Sequence, residues 1–450
     1  MKSANSYPAA LPDVAQLLVS GGDARIALDP ETGLNKYGCR PYPDPELLAF
    51  GSSTASTISQ DGFLAACRVR EELLEALNKG AFEACCLSQM QRIRQALLVE
   101  LQLTDLNVQL QFAASGTDAH CVAAGYARGE QPLRVVMVEA EETGSGVKTA
   151  LLATGCAIDL VALREPDGAP RQLDAIDEEV NARVAAAVDR GERVLLVMVD
   201  QSKTGLVAPG ISCLMRLAQA YAARVAVLVD ACQFRLSPYA LRAYLQQGFM
   251  VAITGSKFFT GPSFSAALLL PAAFHTKEAS VPEFFGVGLL LRWEAALVEL
   301  RRFHEVPHAV IVEFLTAFKA AIGARLAQDE HFEPLAVTLP DRTGLQLVPN
   351  WDHLPTIFPF LLKGESGWLD REQTRQVYRQ LQVPDLHAAR CQFGQPVACG
   401  TRDGTPVSAL RLCISARQIS DAAAQHSISA VIKDALSALD RAAALSVSRM

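Results

Sequence analysis

The chain has no apolar run of about eighteen residues, the length a membrane-spanning helix requires. It does not open with a basic head followed by an apolar core, so no signal peptide is expected. Its eleven cysteines form no CxxC pair and follow no metal-ligand spacing, so no metal site is expected. Several of them (Cys67, Cys85, Cys86 and Cys121) fall in apolar helical stretches, which predicts buried free thiols in a reducing compartment. Long blocks of like charge are also missing. The net charge of −7 is spread along the chain, and nothing marks a nucleic-acid or membrane surface. Together these absences predict a soluble, cytoplasmic protein.

What is present is ordinary globular composition, half hydrophobic and a fifth charged, and 450 residues are enough for one large domain or two moderate ones. The most informative stretch runs from Val225 to Pro271. An apolar run, Val225–Val229, ends in Asp230; a second, Phe249–Ile253, ends in Thr254-Gly255-Ser256-Lys257; a third covers Ala266–Leu270. Short apolar runs ending in polar residues read as buried strands whose ends deliver chemistry. One strand end delivers a carboxylate and the next a lysine. Desolvation at the mouth of an apolar strand favours the neutral amine, which is a nucleophile able to form an imine. The alternative, a surface lysine in a turn, fits poorly with an apolar strand on one side and Gly261-Pro262 on the other.

Upstream, helical periodicity covers Phe63–Leu103, and a strand VQLQF leads into Ala114-Ser115-Gly116-Thr117-Asp118-Ala119-His120 and a helix. Such a turn aims free backbone N–H groups at an anion, although Ser115 also makes a good helix cap. Strand RVVMVEA is followed by Glu141-Glu142-Thr143-Gly144-Ser145-Gly146-Val147-Lys148-Thr149. That loop imitates a nucleotide-binding phosphate loop, but Val147 breaks the required Gly-Lys pair, so the nucleotide reading fails on spacing. A helix around Asp174–Arg190 and strand RVLLVMVD lead to Gln201-Ser202-Lys203-Thr204-Gly205. Strands alternating with helices over residues 108–271 predict a mainly parallel sheet with helices on both faces, and ligands bind such sheets at the strands' carboxyl ends. Ser115, Glu142, Ser202, Asp230 and Lys257 all fall at or just past those ends.

A carboxylate and a lysine so placed suit pyridoxal phosphate (PLP), which is held by a lysine imine while an acid pairs with its ring nitrogen. The set Asp230-Ala-Cys-Gln233, Ser256-Lys257 and Gly261-Pro262 resembles the PLP-dependent enzymes of fold type I, and within them the class V aminotransferase and cysteine desulfurase group. Firm motifs are short patches within residues 60–420. The resemblance implies a mainly parallel, seven-stranded large domain with helices on both faces, a smaller α+β C-terminal domain, and a homodimer. It divides the chain into 1–60, lining the site and interface, a PLP-binding domain over 61–293, and a small domain over 294–450.

The resemblance also assigns roles. Lys257 would hold PLP and shuttle the substrate's Cα proton. Ser115, Gly116 and Thr117 would form the phosphate cup, with Thr254 and Ser256 beside it. Asp230 would pair with the ring nitrogen and Gln233 would bond the phenolic oxygen. Ser202, with Gln201 next to it, would face the ring or substrate. The family places an aromatic residue or His over the ring, whereas this sequence offers Glu142 or Thr143. Lys36-Tyr37-Gly38 and Ser52–Thr54 are further candidates for site lining, the hydroxyl cluster having helix capping as its competing role. His120 is read as structural. Arg411, flanked by apolar residues on a late strand, would take the substrate carboxylate and is favoured over Arg417.

The implied function is transformation of an α-amino acid, with an aminotransferase first and a C–S or C–C lyase second. A desulfurase would need a reactive thiol shortly before the arginine. Cys391 and Cys399 lie in a glycine-rich stretch there, outside the family's usual context. A non-catalytic protein of the same fold is the remaining alternative.

Overall fold

The computed structural model describes residues 10–274, 286–384 and 389–447. Its larger sheet runs, edge to edge, through Val108–Ala113, Ala266–Pro271, Met250–Thr254, Val225–Ala231, Arg193–Asp200, Leu133–Val138 and Ala157–Val161. Among these seven, only Ala266–Pro271 is antiparallel to its neighbours, as an added short strand, Val207–Ala208, is to Arg193–Asp200. The mainly parallel seven-stranded sheet is therefore present.

Val225–Ala231 and Met250–Thr254 are buried at every residue. Side chains alternate between the two faces. Val227 and Val229 pack into one core with the helices Gln60–Asn78, Phe82–Glu100 and Val287–His304, while Ala226 and Leu228 pack into another with Gly116–Ala127 and Val147–Ala153. Burial on both faces is why these strands read as unbroken apolar runs.

The second sheet runs Leu47–Phe50, Arg390–Arg402, Thr405–Cys413, Ile357–Gly364, Phe332–Pro334. Its first strand comes from the N-terminal segment and pairs in parallel with Arg390–Arg402. The boundary expected at 293/294 falls inside the continuous helix Val287–His304, which packs on the large-domain helices. The long helical stretch beyond residue 294 is two helices, because Pro307 cannot continue the first and instead precedes His308–Gln328.

Among the described residues, no helix is long and apolar enough to cross a membrane. All eleven cysteines are free; of the four in the apolar helices only Cys86 is buried, and Cys67, Cys85 and Cys121 are half-buried on their helix flanks.

Candidate active site

A cavity of ≈ 180 Å³ opens where the carboxyl ends of the central strands meet the second sheet. Lys257, Asp230, Gln233, Ser115, Gly116, Thr117, Thr143, Thr254, Ser256 and Arg411 all line it. These residues are separated by up to 296 positions in sequence, and the parallel strand ends bring most of them together.

Asp230 closes Val225–Ala231 and accepts from the Cys232 N–H at 3.1 Å. The His120 Nε2 lies 3.3 Å from its Oδ2, and the His120 Nδ1 is fixed 2.7 Å from the Gly116 carbonyl. Burial alone would raise the Asp230 carboxyl, but His120 and Lys257 outweigh it and hold the group well below the usual carboxylate range. Burial opposes the charged form of His120 as well, and Asp230 reverses this, so its pKa rises. His120 is therefore a wall of the site facing Asp230, a role its place inside a helix conceals.

Lys257 follows Met250–Thr254 and has no hydrogen-bond partner for its amine among the described residues. Burial lowers its pKa, with Arg411 and Arg235 adding to the effect against the pull of Cys232 and Asp230. The amine is thus biased toward its nucleophilic form.

Ser115 caps the helix Gly116–Ala127, donating to Asp118 Oδ2 at 2.8 Å and accepting from the Asp118 N–H. The Gly116 and Thr117 N–H groups open that helix with no acceptor among the described residues, the arrangement that binds anions. A Cβ on Gly116 would stand 3.0 Å from Cys232 Sγ, so glycine lets this turn pack on the Asp230 strand. Thr254 donates to the Cys232 carbonyl at 2.7 Å and ties the Lys257 strand to the same corner.

The residues after Leu133–Val138 divide between two tasks. Thr143 lines the cavity with its hydroxyl bonded back to the Glu139 carbonyl at 3.2 Å. Glu142 also reaches the cavity wall, but its carboxylate is spent on Arg164 Nε at 2.7 Å and on the Ser202 and Thr204 hydroxyls at 2.8 and 2.7 Å. Burial would raise its pKa, yet Arg164 and Thr204 keep it lowered and ionised. The aromatic rings at the cavity are Tyr37 and Phe264, 5.9 Å apart, not a residue after this strand.

Ser202 corrects the sequence expectation. It is buried, its Oγ is held by Glu142 and by the Thr204 and Leu206 N–H groups, and it does not line the cavity. Gln201 lines it instead, because the chain leaves the regular strand at Asp200 and the strand's alternation of faces no longer applies.

The N-terminal hydroxyl cluster also resolves. Ser59 caps the helix Gln60–Asn78, so capping does not need Ser52–Thr54. Ser53 and Thr54 line the cavity: the Ser53 carbonyl accepts from Gln233 at 3.0 Å, and the Thr54 hydroxyl accepts from Arg411 at 2.9 Å. Ser52 accepts from the buried Arg235 at 2.9 Å. Tyr37 reaches the cavity, whereas Lys36 and Gly38 border an adjoining groove.

Arg411 is buried and donates to the Lys203 and Gln395 carbonyls at 3.1 and 2.6 Å as well as to Thr54, while its Nε is buried without a partner. Arg417 is not a solvent-exposed competitor: it donates to the Thr260 carbonyl at 2.9 Å and lies 3.4 Å from Glu299. Cys391 and Cys399 sit inside the strand Arg390–Arg402, are buried, and do not line the cavity. Burial pushes the Cys399 thiol up to about 11 and raises Cys391 too, so neither is an activated thiol on a loop.

The residues fit a bound PLP. Beyond the free N–H groups at the cup, the Gln233 Oε1 is buried without a hydrogen-bond partner, as a polar atom awaiting a ligand would be.

No family model matches the sequence, and no curated protein does. Solved structures do match. A NifS-like protein from Rickettsia africae superposes with a TM-score of 0.55 at 11% identity, over 88% of this chain and 99% of that one. The cysteine desulfurase CsdA from Escherichia coli gives 0.53 at 13% identity, over 89% and 96%. The glutamate decarboxylase domain of a Vibrio parahaemolyticus protein gives 0.56 at 15% identity, over 90% and 81%. The chain has the fold type I architecture, as its motifs led one to expect.

Proposed function

We propose that this protein is a PLP-dependent enzyme acting on an α-amino acid, with Lys257 as its catalytic residue. One observation carries the reading: a half-buried lysine with no ion pair among the described residues, a buried ionised aspartate and an open helix N-terminus line one cavity. Lys257 would hold the cofactor, Ser115, Gly116, Thr117, Thr254 and Ser256 its phosphate, Asp230 its ring nitrogen, and Gln233 its phenolic oxygen. Thr143 and Gln201 would line the ring. When bound, PLP supplies an electron sink that weakens the bonds at the substrate's Cα.

The chain's own residues do the rest. Asp230, kept ionised by His120, holds a proton on the ring nitrogen. The Lys257 amine, kept unprotonated by desolvation and so free to accept a proton, takes the proton from Cα and returns it. Arg411, anchored by Thr54 and the carbonyls of Lys203 and Gln395, orients the substrate carboxylate. The second sheet and Tyr37 exclude water.

Transamination is the first reading, with the proton redelivered by Lys257. A decarboxylase or other lyase is the second, favoured by the protein acceptors that already occupy most of the Arg411 donors. A desulfurase is the least supported, since Cys391 and Cys399 are buried and protonated. A homodimer in a reducing, cytoplasmic compartment belongs to the same proposal.

The test is product analysis with single amino acids and a 2-oxo acid as amino-group acceptor: keto-acid, CO₂ and sulfide release assayed together in wild type and Lys257→Ala. Keto acid is expected from wild type, and the variant should lose at least on the order of 10²–10⁴-fold in turnover. Undiminished turnover by Lys257→Ala would reject the mechanism, and CO₂ in place of keto acid would select the second reading.

A further inference from the structure

The charges that line the cavity do not balance. Asp230 is answered by His120 at 3.3 Å, Glu142 by Arg164 at 2.7 Å, and Arg25 by Asp23, whose Oδ1 accepts from its Nε at 2.8 Å. Lys203 and Arg411 remain, and neither has an ion-pair partner among the described residues. The Lys203 ammonium donates to the Ala140 and Glu141 carbonyls at 3.1 and 3.0 Å, which fixes it against the turn after Leu133–Val138 and leaves one N–H over. Its own carbonyl accepts from Arg411 Nη1 at 3.1 Å, so the two cations belong to one wall of the site. Arg411 is buried and Lys203 half-buried, and placing the two cations side by side costs free energy unless anions arrive with the ligand.

The cofactor phosphate does not account for both. The cup at Ser115–Thr117 has its own helix N-terminus, and Arg25 stands beside it: a Cβ on Gly146 would lie 3.5 Å from Thr117 Oγ1 and 3.9 Å from Arg25 Nη2. A substrate α-carboxylate would answer one of the remaining cations, Arg411, and leave the other.

We propose that the amino acid taken by this site carries a second anionic group, and that Lys203 receives it while Arg411 serves the α-carboxylate. The inference rests on the amino-acid reading above and narrows it to acidic substrates. Neutral amino acids leave the Lys203 charge unanswered, and the site discriminates against them electrostatically.

The experiment uses the PLP-loaded protein and two unreactive ligands of equal chain length, succinate and butyrate, titrated calorimetrically. Loading is checked first by the visible absorbance band, without carboxylate. Succinate should bind about tenfold more tightly than butyrate. Lys203→Gln keeps a donor for the Ala140 and Glu141 carbonyls but removes the charge. It should weaken succinate about tenfold, leave butyrate within about twofold and leave the visible band unchanged. Equal affinity of wild type for both ligands, or a variant that weakens both alike, would overturn the proposal and leave the PLP reading standing. A protein that gains no visible band with PLP fails at the earlier step and takes both readings with it.

Discussion

At the scale of single residues, the site is set by pairs that hold each other's charge. His120 and Asp230 are the clearest case. The imidazole cannot leave, because its Nδ1 is fixed 2.7 Å from the Gly116 carbonyl and the helix is rooted in the buried Ala119 and Ala123. The Asp230 carboxyl is depressed from its ordinary 3.8, so its contribution is present above that value and is lost as pH falls. His120 is raised from its ordinary 6.5, so its contribution is full below that value and is lost as pH rises through the folded value. The pair therefore stabilises most between these limits. In urea unfolding, the deficit of His120→Gln relative to wild type should be larger at about pH 5.5 than at about pH 9. A deficit that did not change with pH would show that the imidazole contributes packing alone.

At the scale of elements, the strand Arg390–Arg402 shapes the second wall. Its Gly394 lies opposite Arg411 in the ladder, and a Cβ there would stand 2.5 Å from Ser53 Oγ and 3.0 Å from Arg411 Cζ. Gly394→Ala must displace one of them, at a cost of about 1–3 kcal/mol. Because the proposed phosphate cup, at the start of Gly116–Ala127, lies on a different element, the substrate KM should rise more than the dissociation constant for PLP. Unaltered unfolding midpoint and KM in this variant would refute the role given to Arg411.

The elements differed in how far sequence exposed them. Val225–Ala231, Met250–Thr254 and Arg193–Asp200 were legible because both faces are buried and the apolar runs are continuous. Ala157–Val161 escaped the reading: it is an edge strand, mostly half-buried, with Asp159 in its middle paired to Arg134 at 2.9 Å. The resemblance implies Ser202 with Gln201 beside it, yet which side chain meets the cavity is decided beyond the strand's end, where no periodicity guides the reading. Ser53 and Thr54 looked like helix caps because their partners Gln233, Arg411 and Cys413 are 180 to 360 positions away. Local pattern carries no signal for contacts of that separation. The resemblance implies Gln233, Arg411 and the Ser52–Thr54 lining one by one, and the fold shows the hydrogen bonds that join them.

At the scale of the whole molecule, the cavity exists because two sheets are locked at one corner. The lock is buried: Arg342 donates to both Asp200 oxygens at 2.8 and 2.6 Å and to the Asp352 carbonyl at 2.8 Å, and the Tyr244 hydroxyl completes Asp200 at 2.7 Å. Asp200 ends the strand that precedes Gln201, so this network fixes the start of the loop that carries Gln201 and Lys203. A buried, fully bonded pair of this kind holds one arrangement of the parts. Arg292 does the same on the other side, joining the Phe264 carbonyl at 2.9 Å to those of Leu18 and Ser20 at 3.1 and 2.9 Å. Lys257 thus lies between two rigid corners, with Lys203 and Arg411 on one wall of its cavity.

The most direct measurement is borohydride reduction of the PLP-treated protein followed by peptide mapping. The account predicts a reduced pyridoxyl adduct on the peptide containing Lys257, formed at one equivalent per chain. An adduct on Lys203 instead, or no adduct on either lysine, would contradict it.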